Sequence, residues 1–231
     1  MHPIIHEIKE SLKGAYPESE AGALAKLLLM EVFGFSTLEL YGGKDKAISE
    51  KERSLLNDII KRLLQNEPIQ YILGMETFCG LNFRVDENVL IPRPETQELV
   101  EWILTDNKEL KNGCILDIGT GSGCIAITLA KCLPEVEVEA WDVSKGALQI
   151  ASQNALDNGV RVHFVEQDVL MFVPQGASFD VLVSNPPYIT EVEKNEMEAN
   201  VLEWEPETAL FVQDNDALLF YRKIAALGCV M

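Results

Sequence analysis

Four apolar segments alternate with helix-like segments from residue 113 onward, and this alternation constrains the fold more than any other feature of the chain. CILDIG, VEVEAWD, RVHFVEQD and FDVLVSN are typical of strands, and SGCIAITLAKCL and KGALQIASQNALDNG are typical of the helices between them. Strands that alternate with helices indicate a parallel sheet covered by helices on both faces. The sequence therefore predicts an α/β domain over residues 93–231.

Residues 1–72 have apolar residues at helical spacing instead. HPIIHEIKESLKG, ESEAGALAKLLLMEVFG and SEKERSLLNDIIKRLLQNE each predict a helix. Ser49 and Glu52 match a capping box for the last of these helices, and Pro68 ends it. METFCGLNFRVDENVLI alternates weakly around a Cys-Gly turn, which predicts a hairpin. We therefore expect a small all-helical domain over 1–72 and a hairpin linker over 73–92.

Polar residues follow each predicted strand of the sheet, beside a glycine-rich turn. LDIGTGSGC places Gly119, Gly121 and Gly123 where the first strand meets a helix, so the backbone can approach a ligand closely. The turn is neither a Walker A loop nor the GxGxxG of a dinucleotide site. The polar residues at the four strand ends are Asp117, Asp142, Asp168 and Asn185. Ligands of parallel sheets bind at the carboxyl ends of the strands, so this pattern indicates a ligand site.

VSNPPYI, residues 183–189, contains two consecutive prolines directly after a strand. Proline lacks an N–H and fixes its own φ, so Asn185-Pro186-Pro187 would end a strand in any protein. The same rigid backbone could also clamp a planar substrate. The stretch by itself leaves both interpretations open.

Together these motifs resemble those of S-adenosylmethionine-dependent methyltransferases of the Rossmann-like class, and NPPY is similar to the branch that methylates amino groups. PIQYILGMETFCGLNFRV, IPRPETQELVEWI and EWEPETALF further resemble the HemK/PrmC family of protein-glutamine N5-methyltransferases, as does the helical N-terminal domain. The resemblance implies methyl transfer from S-adenosylmethionine, which leaves as S-adenosylhomocysteine. It implies that the acceptor is the side-chain amide of the glutamine in the GGQ motif of class I peptide chain release factors, which residues 1–72 would bind.

The resemblance also implies roles for the residues of the NPPY motif. The Asn185 side-chain oxygen and the Pro186 carbonyl would accept the two amide hydrogens of the substrate glutamine. Tyr188 would pack against the planar amide, and Pro187 completes the substrate-binding set. Holding both hydrogens favours a pyramidal nitrogen whose lone pair faces the methyl group, so positioning and electrostatics would drive the transfer.

For the cofactor, the resemblance implies that the Gly119–Gly123 backbone lines the methionine end, Asp117 lies near the ammonium group and Asp142 binds the ribose hydroxyls. Asp168 and Val169 would flank the adenine, although the family often has an aromatic residue where this chain has valine. Pro92, Arg93 and Thr96 would close over the site. The complete expected cofactor set is Asp117, Gly119, Thr120, Gly121, Ser122, Gly123, Asp142, Asp168, Val169 and Asn185.

The net charge of −18 bears on the competing functions. NPPY would also suit an adenine-N6 methyltransferase, but nucleic-acid binding requires Lys and Arg that displace phosphate counterions, so no direct nucleic-acid binding is expected. A different alternative is a truncated, non-catalytic protein that only binds release factors. We expect a cytoplasmic setting, because the five cysteines include no CxxC pair. No membrane segment is expected, because the most apolar stretch, ALAKLLLMEVFGF, is short and contains Lys26 and Glu31. We also expect a monomer. His2 and His6 lack a third ligand for a metal, and none is expected.

The end of the chain differs from the family pattern. After the helix DALLFYRKIAALG only CVM remains, whereas the family fold continues with further strands beyond the fourth. Our expectation is that these C-terminal strands are missing and that FDVLVSN, which is apolar enough to be buried on both faces, has an open edge. We further expect reduced stability and reduced activity.

Overall fold

The computed structural model describes residues 2–42, 46–174, 176, 178–214 and 216–230. The chain divides into two compact units, Met1–Leu73 and Gly74–Met231. Each unit has a hydrophobic core of its own.

The first unit is helical, as predicted. Its described helices are α1 (Pro3–Leu12), α2 (Glu18–Glu31), α3 (Thr37–Tyr41), α4 (Glu50–Leu63) and α5 (Ile69–Leu73). The capping box predicted at α4 is present: Glu52 N donates to Ser49 Oγ over 3.3 Å, and Ser49 N donates to Glu52 Oε2 over 2.7 Å. Ser36 and Glu39 cap α3 in the same way. The sequence analysis missed α3 and α5 because five residues are too few to show a helical period.

The second unit begins with a hairpin and continues with alternating strands and helices. Its described elements are β1 (Met75–Phe78), β2 (Leu81–Arg84), α6 (Pro94–Asp106), β3 (Cys114–Ile118), α7 (Cys124–Cys132), β4 (Glu137–Asp142), α8 (Lys145–Asn158), β5 (His163–Glu166), β6 (Val181–Ser184), β7 (Ile189–Thr190), a 3-10 helix (Glu193–Glu196), α9 (Ala199–Trp204), α10 (Glu207–Leu210), β8 (Phe211–Val212) and α11 (Leu219–Gly228).

A parallel four-stranded sheet organises this unit. Its strand order is β5-β4-β3-β6, and each neighbouring pair is parallel. The chain winds outward from β3 to β5 and then returns to the other side of β3 with β6. Ligands of such sheets bind where the winding direction reverses, at the carboxyl ends of the strands. The α/β prediction is confirmed, and the reversal falls between β3 and β6.

β6 is less buried than its apolar sequence suggests. Val183 is buried, whereas the other three residues of the strand are half-buried. The reason is its place in the sheet: in the described part of the chain, β6 lies at an edge and pairs with β3.

The longest described helices are α2, α4 and α8, with 14 residues each. At a rise of 1.5 Å per residue, such a helix is roughly 21 Å long, and the apolar core of a bilayer is about 30 Å thick. Within the described residues, every helix is too short or too polar to traverse a membrane.

The hairpin packs within the second unit, through a fully buried asparagine of α8. Asn154 Oδ1 accepts from Arg84 N over 2.7 Å, and Nδ2 donates to Arg84 O over 3.1 Å and to Ser122 O over 2.8 Å. Arg84 Nε also donates to Asp157 Oδ2 over 2.6 Å. Residues 74–92 therefore group with the second unit, where the sequence had suggested a separate linker.

Asn154→Ala is expected to lower the free energy of unfolding of the second unit by about 2–3 kcal/mol, because three backbone groups lose a buried partner. Urea denaturation followed by tryptophan fluorescence measures this unit, since Trp102, Trp141 and Trp204 all lie in it. Gln153→Ala is the control, because this exposed neighbour only donates to Asp157. Its expected effect is within about 0.5 kcal/mol. Equal effects of the two variants would contradict the role assigned to Asn154.

Candidate functional site

A cavity opens at the carboxyl edge of the sheet, where the sequence predicted a ligand site. The turn after β3, the ends of β4 and β5, the residues after β6 and the segment before α6 form its walls. The residues predicted to bind cofactor or substrate that lie on these walls are Gly119, Thr120, Gly121, Ser122, Asp142, Asp168, Val169, Asn185, Pro186 and Pro187. Pro92, Arg93 and Thr96, which were expected to close over the site, line the cavity as well. Three other predicted residues, Asp117, Gly123 and Tyr188, are described by the structure but lie off the cavity wall.

The glycine-rich turn leaves open space on its cavity side. Gly119 and Gly121 have φ values of 74° and 54°, and a Cβ at either position would meet no atom within 4 Å. Asp142 fixes the turn: its Oδ2 accepts from Gly121 N over 2.9 Å, and its Oδ1 accepts from Ser144 N over 2.9 Å. Each carboxylate oxygen keeps a further lone pair, so Asp142 can still accept hydrogen bonds from ligand hydroxyls.

Gly123 allows the helices α7 and α8 to pack closely. It is the N-cap of α7, with φ 81°, and a Cβ there would lie 2.8 Å from Ile127 Cδ1 and 3.1 Å from Ala151 Cβ. Only glycine lets α7 and α8 approach this closely, so the third glycine of the motif contributes to the site by placing the start of α7.

Asp117 lies beneath the turn and is fully buried. Its Oδ2 accepts from Thr120 Oγ1 over 2.7 Å, whereas Oδ1 has no hydrogen-bond partner within the described structure. Burial raises the pKa of Asp117 to about 7, although hydrogen bonds from Thr120 and the Ala126 backbone act in the opposite direction. A buried carboxylate oxygen without a partner is unfavourable, and Asp117 lies beneath the turn that lines the cavity, off the wall itself.

The far end of the cavity combines one carboxylate with an aliphatic wall. Asp168 Oδ1 accepts from Leu170 N over 2.8 Å, which holds the carboxylate in place. Val169 is 7% exposed and belongs to an apolar cluster that includes Ile118 and Trp141. This wall offers aliphatic contact to a flat ligand.

The Asn185 side chain is oriented by a residue on α6. Its Nδ2 donates to Thr96 Oγ1 over 3.2 Å, so Oδ1 is the end left to accept hydrogen bonds. Pro186 and Pro187 continue the wall directly after it. Tyr188 is 56% exposed and lies outside the wall, so the structure does not bring its ring to the cavity.

Glu205 is a site residue that the sequence analysis did not single out, because it lies among other acidic residues in EWEPETALF. Its side chain is 1% exposed, its Oε1 accepts from Arg93 Nη2 over 2.5 Å, and its Oε2 accepts from Ile91 N over 3.3 Å. The bridge joins two stretches of the cavity wall, 92–93 and 206–209. The sequence signal that could have indicated its burial is its position between Trp204 and Pro206, two apolar residues.

Glu205→Ala is expected to lower the free energy of unfolding by roughly 2–4 kcal/mol, because the Ile91 amide and the partly exposed Arg93 guanidinium lose their acceptor. Glu205→Gln keeps one acceptor oxygen of the two and the shape of the side chain, so it should cost less. Glu203→Ala, an exposed change two residues away, is the control and is expected within about 0.5 kcal/mol. Thermal denaturation of the wild type and the three variants measures these differences in stability. A Glu205→Ala protein as stable as Glu203→Ala would show that the bridge does not contribute to stability.

The thiol on the cavity wall is chemically inert near neutral pH. Burial, with a further contribution from the Asp117 charge, raises the pKa of Cys124 to about 12. A thiolate nucleophile at this position is therefore excluded. No group of three or more His, Cys, Asp and Glu side chains suited to a metal ion occurs among the described residues.

Comparison with known proteins gives matches along nearly the whole chain. Residues 4–74 match the family model of the PrmC N-terminal domain, and residues 95–210 match that of the methyltransferase small domain. A release factor glutamine methyltransferase of Bacteroides thetaiotaomicron is 53% identical over 229 residues, which cover 99% of this chain and 82% of that protein. A release factor glutamine methyltransferase of Flavobacterium psychrophilum is 47% identical over 222 residues, covering 95% of this chain and 78% of that protein.

Proposed function

The chain belongs to the HemK/PrmC family of release factor glutamine methyltransferases, and from this premise we propose that it methylates the glutamine of the Gly-Gly-Gln motif in class I peptide chain release factors. The observation that carries the proposal is the shared cavity. Asn185, Pro186 and Pro187 form one part of its wall, and the glycine-rich turn with Asp142 forms another. An amide-clamping motif and a cofactor-binding turn therefore face the same space.

The cavity fits S-adenosylmethionine as the methyl donor. The unpartnered Oδ1 of buried Asp117 suits a cationic amino group, and the open space beside Gly119 and Gly121 suits close backbone approach. Asp142 would accept from the ribose hydroxyls, and Asp168 and Val169 would flank the adenine. When bound, S-adenosylmethionine supplies a methyl group on a sulfonium and leaves as S-adenosylhomocysteine.

The NPPY motif would prepare the glutamine nitrogen to attack the methyl group of the cofactor. An amide nitrogen is a poor nucleophile because its lone pair is delocalised into the carbonyl. Asn185 Oδ1 and the Pro186 carbonyl would accept the two amide hydrogens and so favour the pyramidal nitrogen, which is stabilisation by preorganised dipoles. The two prolines fix the direction of the carbonyl and add no competing N–H. Tyr188 would reach the substrate amide only from outside the present cavity wall.

The transfer does not require a strong base within the cavity. The described residues on its wall include no histidine, and the carboxylates of Asp142 and Asp168 are held by backbone N–H groups. The nitrogen can lose its proton late, after the new bond to carbon has largely formed. Catalysis then rests on alignment of the two reactants, which can contribute about 7–11 kcal/mol to lowering a barrier.

The partner and the setting are part of the same proposal. The helical unit Met1–Leu73 would bind the release factor, and a net charge of −18 favours a basic protein surface over nucleic acid. The five cysteines are free thiols, which supports a reducing, cytoplasmic setting. We propose a monomer, which light scattering coupled to size-exclusion chromatography would test.

Mass spectrometry of a purified release factor after incubation with the protein and S-adenosylmethionine tests the function. The expected result is a gain of one methyl group on the glutamine of the Gly-Gly-Gln tripeptide. A release factor with alanine in place of that glutamine is the matched control and should stay unmodified. Duplex DNA incubated in parallel tests adenine methylation. Methylated DNA with an unmodified release factor would overturn the proposal in favour of a nucleic-acid substrate.

A further inference from the structure

The side chain of Asn185 can serve the proposed reaction in only one of its two orientations. An asparagine amide has an acceptor oxygen at one end and a donor nitrogen at the other. If the nitrogen faced the substrate, two N–H groups would oppose each other and the glutamine hydrogens would lose their acceptor. Something in the protein must therefore select the orientation.

Thr96 contacts the end of Asn185 that must be turned away from the substrate. Its Oγ1 accepts from Asn185 Nδ2 over 3.2 Å, across 89 residues of sequence. Thr96 is 6% exposed and lies in the first turn of α6, so its hydroxyl has little freedom to move. With Thr96 Oγ1 accepting from Nδ2, Oδ1 is the end of the Asn185 amide that is available to the substrate.

The position of Thr96 depends in turn on the buried bridge described above. Arg93 is the N-cap residue of α6, but its side chain makes no capping hydrogen bond to that helix. The side chain instead pairs with Glu205, which also accepts from Ile91 N. Glu205 thus holds the two residues that lead into the helix turn on which Thr96 lies.

We propose that Thr96 is a positioning residue that sets the Asn185 amide with its oxygen toward the substrate, and that Glu205 keeps Thr96 in place through Ile91 and Arg93. This inference rests on the proposed glutamine methylation. According to this inference, the segment that leads into α6 helps to orient the Asn185 amide, in addition to forming part of the cavity wall.

Thr96→Val tests the inference because valine keeps the shape of threonine and removes only the hydroxyl. The expected result is a kcat for release factor methylation that is roughly 10- to 100-fold lower, since small errors of alignment carry costs of this size. The KM for release factor and the Kd for S-adenosylmethionine should change by less than about threefold, because valine keeps the shape of the cavity wall at this position. Thr96→Ser restores the hydroxyl and should return kcat to within about threefold of wild type. Glu205→Gln should give an intermediate kcat.

Thr128→Val is the matched control, since Thr128 is also buried and its hydroxyl donates to Cys124 O within α7. It should leave kcat within about twofold of wild type. A Thr96→Val enzyme with a normal kcat, or a Thr96→Ser enzyme as impaired as Thr96→Val, would overturn the inference.

Failure of this inference can be distinguished from failure of the proposed function. The variants are compared with an active wild type, whereas a wild type that leaves the glutamine unmodified would count against the proposed function itself. Circular dichroism of each variant confirms that it is folded.

Discussion

Asn185→Ala is expected to lower kcat for release factor methylation by about 10²–10³-fold, the usual effect of removing one preorganised polar group that faces the reacting atoms. The variant loses the acceptor for one amide hydrogen, so the glutamine nitrogen stays planar and its lone pair stays delocalised. The Kd for S-adenosylmethionine should change little, because Asn185 is one member of the expected cofactor set and the others, among them Asp117, Asp142 and the glycine-rich turn, are untouched. Single-turnover methylation measures the chemical step, and calorimetric titration measures the binding of the cofactor.

Asn82→Ala is the matched control, since Asn82 is an exposed asparagine of the hairpin whose Oδ1 accepts from Thr77 Oγ1. It should keep kcat within about twofold. If Asn185→Ala keeps kcat while the KM for release factor rises, Asn185 contributes uniform binding and not activation of the nitrogen. That outcome would remove Asn185 from the catalytic step.

Asp117→Asn is expected to weaken S-adenosylmethionine binding about 10- to 100-fold while it stabilises the unliganded protein at high pH. The loss of affinity follows if Asp117 carries the charge that pairs with the cofactor ammonium, as proposed above, since hydrogen bonds to charged groups contribute roughly 1.5–3 kcal/mol. The gain in stability follows because the asparagine side chain has no charge to bury. A single substitution should therefore move affinity and stability in opposite directions.

The pH dependence of stability has a definite sign. The folded pKa of Asp117, about 7, lies above the unfolded value of about 3.9, so the folded state binds the proton more tightly. The contribution of Asp117 to the free energy of unfolding of the wild type is fully present below about pH 4. It falls as the pH rises from about 4 to 7 and is constant above about 7. Between pH 5 and pH 8 the advantage of Asp117→Asn over wild type should grow by about 3 kcal/mol.

Urea denaturation of the unliganded proteins at several pH values measures this advantage, and Asp106→Asn, an exposed change in α6, is the control with no such trend. Wild-type affinity for S-adenosylmethionine should in addition weaken about tenfold per pH unit below pH 7, because binding then requires Asp117 to release its proton. A constant difference in stability between pH 5 and pH 8 would mean that Asp117 is ionised throughout, and it would refute both expectations.

The sequence predicted the parallel sheet, and the edge of that sheet at which the cavity lies, because the sequence patterns for both are local. The apolar strands and the helices between them each carry their own period, and the polar residues at strand ends follow from the chain direction alone. Ten of the predicted residues line one cavity for this reason. The environment of Asp117, with one satisfied oxygen and one without a partner, required the folded turn around it.

The segment after NPPY could not be predicted, because its structure depends on distant partners. Residues 189–212 form short elements, and β7 pairs with β8 over only two residues. Glu205 looks like its exposed acidic neighbours until Arg93, 112 residues earlier, is placed beside it. Tyr188 differs in the opposite sense, since this motif residue, whose substrate role stays a prediction, is exposed outside the cavity wall.

The strand order has a consequence for the nascent chain. β3 pairs with β4 soon after it is made, but its other neighbour comes much later, since Ile115 pairs with Val181 and Cys114 N bonds Asp180 across 66 residues. Ribosomes add about 5–20 residues per second, so the central strand waits roughly 3–13 s with one side unpaired. During that interval the newly made chain exposes the unpaired backbone edge of its central strand, which is where a chaperone would be most useful to it.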